Sequence, residues 1–290
     1  MRVGQIGFGR AGRPVASVLL ESKVTQLEWV VRESRTLEHR SVPEFLGISS
    51  EEPGLMYSST TTPAAELLDR LPVDVIVDFS SDRGVYYYGE EARKRRITII
   101  TAVSLYPDDT LAYLKTLAAD TRVLCSPNIT LGVNFLMIAA RILKNIEPSV
   151  DVEIVEQHFK AKSEVSGTAK KIAQTLGVPD DQIKVLRAGG IVGVHEVLFG
   201  FPHQTVRLKH ESISREAFGQ GALFAIQHIQ DKPNGFYAME DLLVPYFRLD
   251  ASEAELAEDS RRPWWRVWGR GSGSRNGERS RTEGGRQRVH

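Results

Sequence analysis

Two rhythms of apolar residues alternate along the first 128 positions. Short runs rich in Val, Ile and Leu fall at 2–6, 27–34 ("LEWVVRES"), 73–81 ("VDVIVDFSS"), 97–104 ("ITIITAVS") and 121–128 ("TRVLCSPN"). Each predicts a strand, and the unbroken apolar run near 75 predicts one buried on both faces. Between them, 13–22, 62–71, 84–96 and 108–120 carry helical spacing. In the second of these, Thr62 is the expected N-cap and Pro63 the first helical residue. Strands alternating with helices imply a parallel sheet with right-handed crossovers.

The pattern changes after residue 128. "LGVNFLMIAARILKNI" predicts a long apolar helix, and "VDVEIVEQHF" alternates like a half-buried strand. "SGTAKKIAQTL" reads as a helix, "IKVLRAGGIVGVHEVLFGF" as two strands around a glycine turn, "TVRLKHESI" as a strand, and "SREAFGQGALFAIQHI" as a helix. The expected fold class is α/β. An N-terminal Rossmann-like parallel sheet spans 1–127, and a C-terminal α+β substrate and oligomerisation domain spans 128–240. A return segment to the first domain is expected at 241–250. The Arg- and Gly-rich stretch at 251–290 has no period and reads as a disordered tail.

Composition narrows the partners. Lys plus Arg and Asp plus Glu are 37 each, so the formal net charge is zero. Bulk electrostatic binding to nucleic acid or to a membrane is therefore not expected. The tail has Trp and Arg that can stack on bases, but no RNA-binding fold accompanies it. One cysteine, Cys125, allows no internal disulfide, which fits a cytoplasmic protein. No apolar run reaches the ~18 residues of a membrane span. The amino terminus enters a strand and a glycine turn directly, unlike a signal peptide. No Cys/His spacing suggests a metal site.

Gly7, Gly9 and Gly12 form G-x-G-x-x-G between a predicted strand and helix. The first glycine permits the tight turn, the second lets backbone approach a pyrophosphate, and the third lets helix and strand pack closely. The helix start adds free N–H groups and a partial positive charge. Gly7, Phe8, Gly9, Arg10, Ala11 and Gly12 are thus the expected diphosphate turn. At the end of the second strand, Glu33 favours the ribose hydroxyls of NAD, while Arg32 and Arg35 favour the 2′-phosphate of NADP. NADPH and NADH both stay open, with a lean to NADPH. Either arginine alone reads equally well as a solvated surface charge.

The stretch "EQHFKAKSEVSGTAKK" (156–171) carries the second candidate chemistry. His158 and Lys162 are expected just past a strand end, and Ser166, Gly167 and Thr168 open the next helix. Hydroxyls and helix-end N–H groups suit a carboxylate, and Lys162 and His158 can pair with it or move a proton. His195 and His210 read as hydrogen-bonded structural residues, and Arg187 as an ion-paired one.

With these motifs in order, the chain resembles the dihydrodipicolinate (4-hydroxy-tetrahydrodipicolinate) reductase family over about residues 1–245. The family pattern E-x-H-H-x-x-K-x-D-x-P-S-G-T meets Glu156, His158, Lys162 and Ser166-Gly167-Thr168 here. "VDVIVDFSS", "SPNITLGVNFL", "LRAGGIVGVHEVLFG", "HESISREAFGQGALFAI" and "GFYAMEDLL" match as well. The resemblance implies NAD(P)H-dependent reduction of a cyclic imine dicarboxylate in the diaminopimelate route to lysine, and a homotetramer. It makes His158 and Lys162 catalytic, with Lys162 the proton donor, and gives a substrate carboxylate to Ser166, Gly167 and Thr168. It extends the cofactor set to Phe79, Ser80, Thr101, Ala102, Val103, Pro127 and Asn128. Three positions depart. Phe159 replaces the second His, Glu164-Val165 replaces the Asp and Pro one residue short, and Thr101-Ala102-Val103-Ser104 stands for Gly-Thr-Thr-Gly. A related oxidoreductase acting on another imine, amino or oxo acid, or a non-catalytic dinucleotide-binding paralogue, is the alternative.

Overall fold

Each apolar run before residue 126 becomes a strand of one sheet in the computed structural model, which describes residues 1–51 and 54–247. The strands are β1 (Arg2–Ile6), β2 (Gln26–Arg32), β3 (Leu55–Ser58), β4 (Val75–Asp78), β5 (Thr98–Thr101) and β6 (Arg122–Cys125). The connecting helices are α1 (Gly12–Glu21), α2 (Val42–Leu46), α3 (Ala64–Arg70), α4 (Val85–Arg95) and α5 (Asp108–Leu117). All neighbours pair in parallel, in the order 3-2-1-4-5-6. The order reverses between β1 and β4, and sheets of this kind take ligands at the carboxyl ends beside that reversal. Apolar residues fill both faces. Val3, Val30 and Val77 pack with α1 on one side, and Trp29, Ile76 and Ile99 pack with α3, α4 and α5 on the other.

A second sheet forms after α6 (Leu131–Ile146). It holds β7 (Asp151–His158), followed by α7 (Gly167–Leu176), β8 (Ile183–Arg187), β9 (Gly193–Phe201) and β10 (Gln204–Ser212). Its order is β10-β9-β7-β8. The two strands expected around a glycine turn both form, yet they do not pair with each other. α7 carries the chain over as a crossover, so β8 joins β7 in parallel, and β9 takes β7's other edge antiparallel. Ile154, Ile172, Val197 and Phe199 form this sheet's core with Leu136 and Met137 of α6.

The chain then returns to the first sheet. α8 (Glu216–His228) lies on α1, where a Cβ on Gly219 would stand 2.6 Å from Val18 Cβ. β11 (Gly235–Tyr237) pairs in parallel with β6 as a seventh strand, and α9 (Met239–Leu243) buries Met239 and Leu242 in the first core. The tail at 251–290 and the last residues of the 241–250 segment lie outside the described residues.

Several boundaries differ from the sequence expectation. Pro63, not Thr62, is the cap of α3, because Pro63 is extended (ψ 143°) and helix begins at Ala64. Thr62 is instead buried, its carbonyl accepting the Tyr87 hydroxyl at 2.8 Å. β2 stops at Arg32 and β5 at Thr101, where pairing with their neighbours ends. α2 and β3 are too short to show a period and were not anticipated. At the end of α4, Arg96 caps the helix with φ 56°, ψ 34°. This is a left-handed position that glycine usually fills, and a side chain there costs about 1 kcal/mol.

Candidate active site

The glycine turn has the expected shape. Gly7 has φ 94°, and a Cβ there would stand 2.7 Å from the Phe79 and Ser80 backbone. A Cβ on Gly12 would overlap the Gly7 carbonyl oxygen, while one on Gly9 would meet nothing within 4 Å. Backbone at Gly9 therefore faces open space, as a diphosphate requires. No side chain caps α1 and no acid occupies its first turn; Arg13 N already donates to Gly9 O and Pro14 has no N–H, so Gly12 N is what the first turn leaves for an anion. Gln5 pins the turn by donating from Nε2 to Gly7 O and Gly12 O, both at 2.8 Å. Its only sequence signal is one polar residue inside an apolar strand. Phe8 is buried, with Arg13 over its ring at 5.7 Å, so its side chain serves packing. Arg10 is exposed and Ala11 half-buried.

Beyond β2, Arg32 is half-buried, and Glu33 and Arg35 are exposed. Arg35 Nε stands 3.7 Å from Glu38 Oε2, and Glu33 O accepts the Ser58 hydroxyl at 2.8 Å. Both an acid and two bases thus stay at this rim.

Asp78 closes β4 as a fully buried carboxyl group with no cation partner among the described residues. Oδ1 accepts from Ser80 N at 2.8 Å and Ser80 Oγ at 2.5 Å, and Oδ2 accepts from Tyr88 at 2.9 Å. Burial outweighs these bonds and pushes its pKa up to about 6. A raised acid loses folding stability as pH climbs from its unfolded pKa toward its folded one. Asp78→Asn removes that dependence. The variant's stability relative to the parent is expected to rise by roughly 3 kcal/mol between about pH 4 and about pH 7. Urea melts of both chains across that range check this, and parallel curves would refute it. Nearby, Thr101 is buried, its hydroxyl 2.6 Å from Tyr106 OH, and Ala102 N donates to Asp78 O. Phe79 and Ala102 are half-buried, Val103 is buried, and Ser80 and Pro127 are exposed.

The cationic stretch gathers around Glu156, which is fully buried. Its Oε1 accepts from Ser166 N at 3.1 Å and Arg187 Nη2 at 2.7 Å. Burial opposes its charge, but the Ser166 and Arg187 bonds prevail and hold its pKa below the usual carboxylate value. Its Oε2 lies 3.0 Å from His158 Nδ1, though neither atom has an aligned hydrogen bond, so the contact acts by charge. His158 is the last residue of β7 and buried, not past the strand end as expected. Burial lowers its pKa against the pull of Glu156. His195 stands opposite Glu156 in the register, its pKa lowered by burial to about 4.

Lys162 is half-buried, and its charge acts on both imidazoles. Its ammonium has no ion pair among the described residues. One atom each of Glu156, His158 and His195 lie within 4.8 Å of one another. Glu156 is already bound by Arg187, and Lys162 adds a second positive charge, so the local balance opposes a cation and favours an anion.

Ser166 caps α7, accepting from Ala169 N at 3.0 Å and meeting His195 Nε2 at 3.1 Å. Thr168 Oγ1 donates to Asn128 Oδ1 at 2.7 Å. Both hydroxyls are engaged. What the turn still offers an anion is the Gly167 and Thr168 N–H groups, with open space around Gly167. The Thr168–Asn128 bond also joins the start of α7 to the segment following β6, beside the carboxyl ends of the first sheet. His195, read from sequence as structural only, therefore touches the turn. Phe159 is 38% exposed.

The chain is similar to several known proteins. Residues 1–129 match the family model "Dihydrodipicolinate reductase, N-terminus", and 129–243 match "Dihydrodipicolinate reductase, C-terminus". The 4-hydroxy-tetrahydrodipicolinate reductase of Polynucleobacter necessarius is 30% identical over 81% of this chain and 96% of its own length. That of Aquifex aeolicus is also 30% identical, with the same coverage of both chains. Among solved structures, the dipicolinate-bound dihydrodipicolinate reductase from Paenisporosarcina sp. TG-14 superposes with a TM-score of 0.69 at 20% identity. It covers 82% of this chain and 97% of that one. An amine dehydrogenase from Mycobacterium smegmatis shares the fold at a TM-score of 0.59 and 12% identity, over 83% and 95%. Matched on both halves and alike along nearly the full length of those relatives, the chain belongs to the dihydrodipicolinate reductase family.

Proposed function

We propose that this chain reduces 4-hydroxy-tetrahydrodipicolinate to tetrahydrodipicolinate with NAD(P)H. The observation that carries the proposal is the Thr168–Asn128 bond at 2.7 Å, which sets the cationic turn against the ligand edge of the first sheet. The glycine turn fits a dinucleotide, since Gly9 leaves open space where Gly7 and Gly12 fill it. When bound, the reduced nicotinamide supplies the hydride. Lys162 and the N–H groups of Gly167 and Thr168 hold the substrate carboxylates. Glu156 orients His158 and steadies the turn through Ser166 N. The 4-hydroxyl leaves as water together with a proton from the adjacent ring carbon, and Lys162 then donates the one proton consumed as hydride addition develops negative charge on the ring nitrogen. The division of labour follows the two sheets, with residues 1–127 for the dinucleotide and the block from 128 for the substrate. Four copies assembling through the second sheet complete the proposal.

Phe159 favours one neighbouring reading, a related imine, amino or oxo acid as substrate. An exposed ring stands where the family's second His would donate to a carboxylate. Purified full chain with NADPH and freshly generated 4-hydroxy-tetrahydrodipicolinate decides. Cofactor oxidation that needs the substrate is the expected result. Tight NADPH binding without oxidation would transfer the assignment to the neighbouring reading.

A further inference from the structure

The opposite edge of the first sheet holds a cavity of about 540 Å³. It is lined by Arg2 at the start of β1, Asp74 before β4, Arg122 at the start of β6, and Arg95, Arg96 and Asp69 from the helix ends. β1 separates this edge from the glycine turn by about 15 Å, so the cavity is no part of the dinucleotide site. Arg2 pairs with Asp74 at 3.0 Å and Arg95 with Asp69 at 2.6 Å. The other two guanidiniums have no carboxylate among the described residues. Arg122 donates to Lys232 O at 2.7 Å and Thr98 Oγ1 at 3.3 Å, which leaves its Nη2 without a hydrogen-bond partner among the described residues. Arg96 is exposed and held in the left-handed conformation, although glycine would serve the fold there without strain. Arg95 is also paired with Glu91, so the guanidiniums left without a carboxylate among the described residues are those of Arg96 and Arg122. The carboxyl end of α4 opposes an anion, and Arg93 and Lys94 in its last turn are already paired with Glu90, Asp120 and Glu91. Leu68, Val73 and Ile97 give the cavity an apolar wall.

We infer that this cavity is a second anion site, for a compact dianion such as a phosphate monoester or a small dicarboxylate. The planar fork of Arg96 suits its oxygens as a bidentate donor, and the Nη2 of Arg122 adds a single further donor. Calorimetric titration of the NADPH-saturated full chain tests this, with glycerol phosphate and malonate as the two probes. Arg96→Gly removes one fork while relieving the left-handed strain, so its melting temperature should equal or exceed the parent's. The expected result is binding of at least one probe that Arg96→Gly weakens about tenfold or more. The stronger probe identifies the headgroup. Equal affinities in the two chains would place the ion elsewhere and overturn the inference, as would silence with both probes.

Discussion

A Lys162→Met chain is expected to lose about 10²–10⁴ of its turnover number while keeping its affinity for NADPH. The reason lies in what surrounds the ammonium. Glu156 is bound by Arg187 and Ser166, and His158 and His195 have pKa values lowered by burial. Protonated imidazole is therefore scarce at neutral pH, and Lys162 is the remaining proton source in the nook. Methionine keeps the length and apolar stem of the side chain while removing charge and proton together. A matching His158→Gln chain should lose less, because a neutral imidazole at that position orients more than it donates. Single-turnover kinetics, with NADPH binding measured separately, check both. Full turnover in Lys162→Met would remove the assigned donor.

The largest expected effect on stability comes from Glu156→Ala. Glu156 is fully buried, and its partner Arg187 has a side chain only 16% exposed. Removing the carboxylate leaves a guanidinium enclosed without its counter-charge, which costs about 3–5 kcal/mol. The variant also loses the acceptor of Ser166 N, so the start of α7 loosens. Glu156→Gln is the informative companion. It keeps an oxygen for Ser166 N and restores part of the stability, but it no longer attracts a proton to His158 Nδ1. A stable Glu156→Gln chain with a pH–rate profile shifted toward acid would identify Glu156 as a positioning residue. Denaturant melts and the pH profile separate the two effects. An Ala variant as stable as the parent would show that Arg187 finds another partner.

The parts legible from sequence are those whose cause is local. Gly7 and Gly12 announce a turn because the positive φ of Gly7 and the approach of Gly12 to the Gly7 carbonyl are local, whereas the Phe79 and Ser80 backbone beside Gly7 and the open space at Gly9 are not. The strand near residue 75 was readable because burial on both faces demands an unbroken apolar run. Ser166 caps α7 through a bond three residues along the chain. What sequence did not reveal depends on partners brought together by folding. Glu156 meets Arg187 across 31 positions, and Ser166 meets His195 across 29. Thr168 reaches Asn128 across 40, so the engagement of its hydroxyl was hidden. The placement of β7 between β8 and β9 is of the same kind. Nothing in "LRAGGIVG" distinguishes a hairpin from two strands that flank a third.

The return of the chain as β11 bears on ancestry and on protein engineering. Gly235 N donates to Thr121 O at 3.2 Å, so the path re-enters the sheet beside the strand from which it departed. The stretch from Leu131 to Ser212 is thus a cassette spliced into an otherwise contiguous nucleotide-holding module, its two ends anchored on one flank. A gene cut at residue 129 would strip that flank of its border strand and lay bare the side of α1 that α8 shelters. Exchanging the whole cassette would disturb neither. Grafting experiments on this architecture should therefore succeed between the two anchor points and fail at the apparent midpoint.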